Sequence, residues 1–130
     1  MKITIVRYIK DHKQKLRELL TSNYKDLGFS EPLKDEIGIN LFISSVEHHY
    51  TALKDNKNPI GFIMGGEADG ILVVVDEKHR RMRVGTKLVN VFHKSHPKYK
   101  VFISTENVPA IKLFQSCGFE VDEFRLSKKE

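Results

Sequence analysis

The sequence predicts an α/β domain. A β-meander runs into β-α-β-α-β units, giving a mixed, mostly antiparallel sheet with helices on both faces. Three observations carry that expectation. Residues 50–75 hold three short apolar runs separated by polar and glycine-rich turns. Val84, Leu88, Val91 and Phe92 fall at i, i+4, i+7 and i+8, which is one face of a helix. Asn107 and Gly118 bracket a further apolar stretch with the chemistry of a helix start and stop. A meander followed by βα units must cover both faces of its sheet.

Taken in order, Ile3 and Ile5, with Tyr8 beyond them, make a first strand. Asp11 is the expected cap of the next helix, with Gln14 three residues on in capping-box register. Leu16, Leu19 and Leu20 form its apolar stripe, and Gly28 lies beyond its end. A second short helix is expected within 30–50. Ile37 and Leu41 have helical spacing there, whereas Gly38, Ile39 and Ile43 interrupt the pattern. Strands follow at 50–53, 60–64 and 71–75, broken by the polar turn 54–59 and the glycine-rich turn 65–70. Pro97 ends the helix that carries Val84 and Phe92, and Val101, Phe102 and Ile103 make a short buried strand. Asn107 caps the last helix with Pro109 in its first turn, Gly118 is its C′ residue and Phe119 the apolar partner beyond. A final strand is expected over 119–126.

At 130 residues the chain is read as one domain, 1–130, without repeats or linkers. No apolar run approaches the roughly 18 residues of a membrane span. The N-terminus lacks an apolar segment with a small-residue cleavage site, so no secretory signal is expected. The one cysteine, Cys117, cannot close an internal disulfide and is too few for a thiolate zinc site. A reducing cytoplasm is the expected location. The net charge of +5 is mild for a nucleic-acid or membrane binder. Its distribution says more: Lys78, Arg80, Arg81, Arg83 and Lys87 lie together with no acidic residue among them. Such a run is either a solvated face or an anion site.

The joint between the strand 71–75 and the helix that follows favours the anion site. Arg80, Arg81, Met82, Arg83, Val84, Gly85 and Thr86 form a basic turn entering a helix N-terminus. Free amides and the positive end of the helix dipole meet there. Gly85 either admits a ligand close to the backbone or eases a tight strand-to-helix turn. Other polar residues carry less. Glu67 and Asp69 can be turn formers, His48 and His49 suit a core edge, and His93 and His96 have metal-pair spacing without a third ligand. No metal is expected.

These residues resemble the GNAT N-acetyltransferase superfamily. The family pattern of a strand, then Arg/Gln-x-x-Gly-x-Gly/Ala, then a helix is matched by Val75, Arg80, Arg83, Val84 and Gly85 in order and spacing. A second pattern, Asn-x-x-Ala-x-x-Leu-Tyr-x-x-x-Gly-Phe, is matched by Asn107, Ala110, Leu113, Phe114, Gly118 and Phe119. The resemblance covers residues 59–125 well, and before that only the order of elements agrees.

The resemblance implies an acetyl-CoA-dependent N-acetyltransferase of the GNAT fold. Val73, Val74 and Val75 would pair with the pantetheine arm, and residues 80–86 would wrap the pyrophosphate. Asn107, Ala110 and Phe114 would lie on the far side, near the thioester. Glu67, just before the cofactor strand, is where members often hold a carboxylate base. The implied partners are acetyl-CoA and an amine acceptor, either a small molecule or a protein amine. No membrane or nucleic acid is among them, and a homodimer is left open. Two departures matter. Arg83 replaces the first glycine of the loop, which suits an arginine if its φ is negative. Phe114 replaces the tyrosine thought to protonate departing CoA, and a phenyl ring has no proton to give. The rival reading is a catalytically weak or inactive CoA-binding module.

Overall fold

The computed structural model describes residues 2–27, 29–33, 35–66, 70–101, 103 and 107–121. Its frame is a four-stranded antiparallel meander: β1 (Ile3–Arg7), β2 (His48–Lys54), β3 (Asn58–Gly66) and β4 (Gly70–Val75), neighbours in that order. Helices α1 (Lys13–Ser22) and α2 (Glu36–Ser45) cover one face, and α3 (Val84–Ser95) and α4 (Val108–Ser116) cover the other.

The alternation of the strands sorts the side chains between two cores. Phe62, Met64 and Val74 point toward Leu16, Leu19 and Leu20 of α1 and Ile39 of α2. Ala52 and Ile63 point toward Val84, Leu88, Val89 and Phe92 of α3 and Phe114 of α4. One residue departs from this alternation. Ala52 pairs with Gly61 but Leu53 pairs with Pro59, so Ile60 is an extra residue in β3. The bulge turns Ile60 to the α3 side although Phe62, two residues on, faces α1. A Cβ on Gly61 would lie 3.1 Å from Val84 Cγ1 and 3.2 Å from Leu88 Cδ1, so this glycine lets α3 settle onto β3.

The turn between β2 and β3 follows its polar sequence. Asp55 and Asn56 have φ of 52° and 60°, and the Lys57 N–H donates to Lys54 O at 3.1 Å. That is a type I′ turn, whose twist matches the hairpin. The expected strand at 60–64 is longer than anticipated, because Asn58, Pro59, Gly65 and Gly66 also join the ladder.

Two helix starts differ from expectation. A 3₁₀ turn, Lys10–His12, precedes α1, and Asp11 caps nothing in it. His12 acts instead: its Nδ1 accepts from the Ile9 N–H at 3.3 Å and lies 2.9 Å from Thr51 Oγ1, with both side chains buried. Burial pushes the His12 imidazole pKa down, consistent with a neutral ring accepting at Nδ1. The second helix exists, and Asp35 caps it. Its inward face is Ile39, Phe42 and Ile43, continued by Val46 at the C-cap, and Ile39 and Ile43 are two of the three residues that interrupt the expected pattern. Ile37 and Leu41 are 69% and 67% exposed. The helical period is present, rotated away from the pair that suggested it.

The end of α4 matches its sequence. Gly118 has φ +95°, its N–H donates to Gln115 O at 3.0 Å, and the Phe119 N–H reaches back to Phe114 O at 3.0 Å. This is a Schellman motif, completed by the edge-on contact of Phe119 with Phe114 at 5.3 Å. Val101 and Ile103 pack against the α3-side core without a strand assignment, and Phe102 lies outside the described residues. Of the expected final strand, residues 119–121 have no regular structure and 122–126 lie outside the described residues.

Candidate functional site

The site is built where β4 gives way to α3. The Asp76 N–H donates to Ile60 O at 2.8 Å, so backbone groups at Asp76 face β3. Alternation along an antiparallel ladder then directs the Val74 amide toward β3 and turns the amides of Val73 and Val75 to the side away from it, the outer edge of the sheet among the described residues. Val74 also sends its side chain to the α1 face, whereas Val73 and Val75 pack on the α3 face.

Asp76 caps the 3₁₀ helix Glu77–Met82, with Oδ1 accepting from the Lys78 N–H at 3.2 Å. Its other oxygen lies 2.9 Å from Lys15 Nζ. The Lys15 hydrogen bond holds the Asp76 carboxyl below the usual carboxylate range, so it is ionised at neutral pH. Arg80 folds back over the strand end. Its Nε donates to Val75 O at 3.3 Å and its Nη2 donates to Asn23 Oδ1. Both acceptors are neutral, so the guanidinium charge is not offset.

Arg83 joins the 3₁₀ helix to α3 with φ +59° and ψ 25°, the left-handed region. The condition under which an arginine suits this position, a negative φ, is therefore not met. The chain reverses sharply between two helical segments, and one residue must absorb the reversal. A glycine would do so without strain, whereas an arginine carries about 1 kcal/mol.

The first turn of α3 has no side-chain cap. The amides of Val84, Gly85 and Thr86 have no intrahelical acceptor, as at any helix start, and the helix dipole adds partial positive charge. Around this end lie Arg80, Arg81, Arg83 and Lys87, all exposed. Among the described residues, no carboxylate stands within ion-pair distance of any of them. Exposed Met82 sits among these cations, and Thr86 is half-buried. Uncapped amides beside uncompensated guanidinium groups fit a phosphate-bearing ligand.

Gly85 has a different place from the one its sequence context suggests. A Cβ there would lie 3.1 Å from Leu113 Cδ2, so the missing side chain brings α3 close to α4. Val84 is fully buried and offers the site only its amide. Asn107 caps α4 as anticipated, with Oδ1 accepting from the Ala110 N–H at 3.3 Å, while its Nδ2 donates to Asp26 O at 3.0 Å. Ala110 is half-buried, and Phe114 is 5% exposed beneath Phe119. The β4 edge, the basic loop and the starts of α3 and α4 thus converge. Glu67 lies outside the described residues.

The histidines fall elsewhere. His96 stacks on His48 at the C-terminal end of α3, with ring centroids 3.9 Å apart, while His93 packs on Phe119. The two rings therefore pack against different neighbours. Among the described residues, no cluster of His, Cys, Asp and Glu could hold a metal, and no helix is long and apolar enough to cross a membrane. Three contributors to the site carry no sequence signal: Lys15, Asn23 and the Asp26 carbonyl. Lys15 and Asn23 meet their partners because α1 docks beside the end of β4, and the Asp26 carbonyl meets Asn107 because the turn after α1 lies against the start of α4.

The model of the acetyltransferase (GNAT) family matches residues 13–119. No curated protein matches the chain by sequence. Among solved structures, a phosphinothricin acetyltransferase from Sinorhizobium meliloti, in complex with AcCoA, superposes with a TM-score of 0.80 at 14% identity, over 95% of this chain and 77% of that one. Glucosamine-6-phosphate N-acetyltransferase from Arabidopsis thaliana gives 0.66 at 18% identity over 99% of both chains. The AAC(6')-Iy structure with a bisubstrate analogue gives 0.69 at 20% identity, over 100% of this chain and 99% of that one. At these identities the likeness is one of fold.

Proposed function

The chain belongs to the acetyltransferase (GNAT) family, and from that premise we propose that it transfers an acetyl group from acetyl-CoA directly to a primary amine. The observation that carries this reading is the uncapped start of α3 among four cations without carboxylate partners. In this reading the amides and cations of residues 80–86 take the CoA phosphates. The outer edge at Val73 and Val75 lies along pantetheine, with Asn107, Ala110 and Phe114 on its far side. When bound, acetyl-CoA supplies an activated thioester. Amides on the β4 edge then donate toward the carbonyl oxygen as negative charge builds there. An alkylammonium acceptor has a pKa of about 10.4 and must lose a proton before its nitrogen attacks. Glu67 is the base this reading assigns.

One observation favours a second reading. Phe114, which the motif resemblance aligns with the tyrosine thought to protonate departing CoA in many members, is buried against Phe119 and has no proton to give. A thiol of pKa about 8.5 leaves tolerably as a thiolate. The loss therefore points to a slow transferase before it points to an inactive CoA-binding module. Calorimetric titration with CoA, followed by thiol release from acetyl-CoA across an amine panel, separates the cases. Binding with turnover of at least one amine is expected. Binding without turnover favours the module, and no binding removes both readings.

A further inference from the structure

Three polar links leave α1 and the turn after it, and they end on both halves of the proposed cofactor site. Lys15 Nζ lies 2.9 Å from Asp76 Oδ2, Arg80 Nη2 donates to Asn23 Oδ1, and Asn107 Nδ2 donates to Asp26 O at 3.0 Å. The partners are 61, 57 and 81 residues apart in sequence. The turn itself is braced. The Asn23 N–H and Nδ2 both donate to Leu19 O, at 3.0 and 2.9 Å, so the side-chain amide has one sensible orientation, with Oδ1 toward Arg80. Leu27 N–H donates to Asn23 O at 3.1 Å and Phe29 N–H to Tyr24 O at 2.9 Å, while Leu27 and Phe29 pack into the α1-side core.

We propose that Asn23 is a positioning residue for the cofactor loop, holding the Arg80 guanidinium over the end of β4 in the orientation that receives a phosphate. The inference rests on the acetyl-CoA reading above. Two features argue for it. Arginine is long and loses rotamer freedom when it binds, so a side chain held beforehand binds an anion with a smaller entropic loss. The holding groups, Asn23 Oδ1 and Val75 O, are also both neutral. They fix the guanidinium without cancelling its charge, which a carboxylate in either place would do. A residue present only to stabilise an exposed arginine has no need of that restriction. Asp26 O extends the brace to Asn107, so one rigid turn sets the spacing of the loop and the α4 start.

The test is a double-mutant cycle read by CoA calorimetry on the whole chain. Asn23→Ala should weaken CoA about three- to tenfold, the scale of one partly exposed charged hydrogen bond. In an Arg80→Ala background the same change should have no further effect. Asn23→Asp keeps an acceptor but offsets the charge, so it should weaken CoA while unfolding at or above the temperature of Asn23→Ala. Should Asn23→Ala fail to fold because it uncaps α1, Asn23→Gly supplies the cycle, since glycine suits a helix end. An equal loss with and without Arg80, or no loss in either, overturns the inference and leaves the acetyl-CoA reading standing. Absence of CoA binding by the wild type overturns both.

Discussion

At its start α3 faces four cations that no described carboxylate balances, whereas at its end the polar groups satisfy one another. His96 Nε2 lies 3.0 Å from Tyr50 Oη, and His48 Nε2 lies 3.1 Å from Tyr99 Oη. The Tyr99 hydroxyl donates to Glu47 Oε2 at 3.4 Å, and Phe92 packs beneath the two stacked imidazoles. Both ends are rich in titratable groups, so composition alone would rank them alike. What separates them is satisfaction. Polar groups that close on each other stabilise the fold, while donors left open at a helix start are available to something outside it.

The largest expected effect tests the closed end. Phe92→Ala removes a fully buried ring from the α3 core and should cost about 3–5 kcal/mol of stability. Arg81→Ala at the open end should change stability by less than about 0.5 kcal/mol. Urea denaturation of both proteins measures the contrast, and equal destabilisation would erase it.

A second variant acts on the open end through the backbone. Gly85→Ala places a Cβ 3.1 Å from Leu113 Cδ2, so the Leu113 side chain must give way, and with the helix propensity gained by alanine the net change should stay within about 1 kcal/mol. Glutamate at the same position adds bulk and a negative charge, and should abolish CoA binding as well as loosen α4. Calorimetry showing unchanged CoA affinity in Gly85→Glu would move the phosphate site away from this loop.

Arg83 sharpens the comparison because strain and charge meet in one residue. Arg83→Gly relieves the left-handed φ and should stabilise the chain by about 1 kcal/mol, yet it removes a cation. Arg83→Ala removes the cation and keeps the strain. Both should bind CoA more weakly, by about 1 kcal/mol, and only the glycine variant should unfold at a higher temperature. Wild-type CoA affinity in both would make the charge at 83 incidental.

The smallest effect is the pH response of the closed end. Burial pushes the His96 imidazole pKa down, and the neighbouring His48 and Arg7 add to the shift. Burial likewise lowers His12 and His49 on the opposite face of the sheet. A folded-state pKa below the unfolded value of about 6.5 means that the unfolded chain takes up protons first. This stability is fully present above pH about 6.5 and falls as pH drops through the lowered folded-state values. The urea midpoint should therefore be lower at pH 5.5 than at 7.5, and His96→Phe should reduce the difference. Identical midpoints at the two pH values would contradict neutral imidazoles at buried His12 and half-buried His49 and His96.

Much of this molecule is written locally. The turn at Asp55 and Asn56, the Asn107 cap, the Gly118–Phe119 helix end and the stripe of Leu16, Leu19 and Leu20 each depend on residues within about five positions of one another. All were legible in the sequence, as was the basic loop from Arg80 to Thr86, because it is contiguous. The rest depended on docking. His12 replaced Asp11 at the start of α1 because Thr51 of β2 lies beside it, and α2 turned Ile39 inward because the α1-side core accepts that face. Gly85 serves α4 packing because Leu113 lies against it, and Arg83 is left-handed because two helical segments meet there. Asn23 reaches Arg80 across 57 residues. Hydrophobic period and capping chemistry specify what a segment becomes, since those energies are short-range along the chain. Which side chains meet across the fold is set by sheet register and helix rotation, and these are decided only when both cores pack at once.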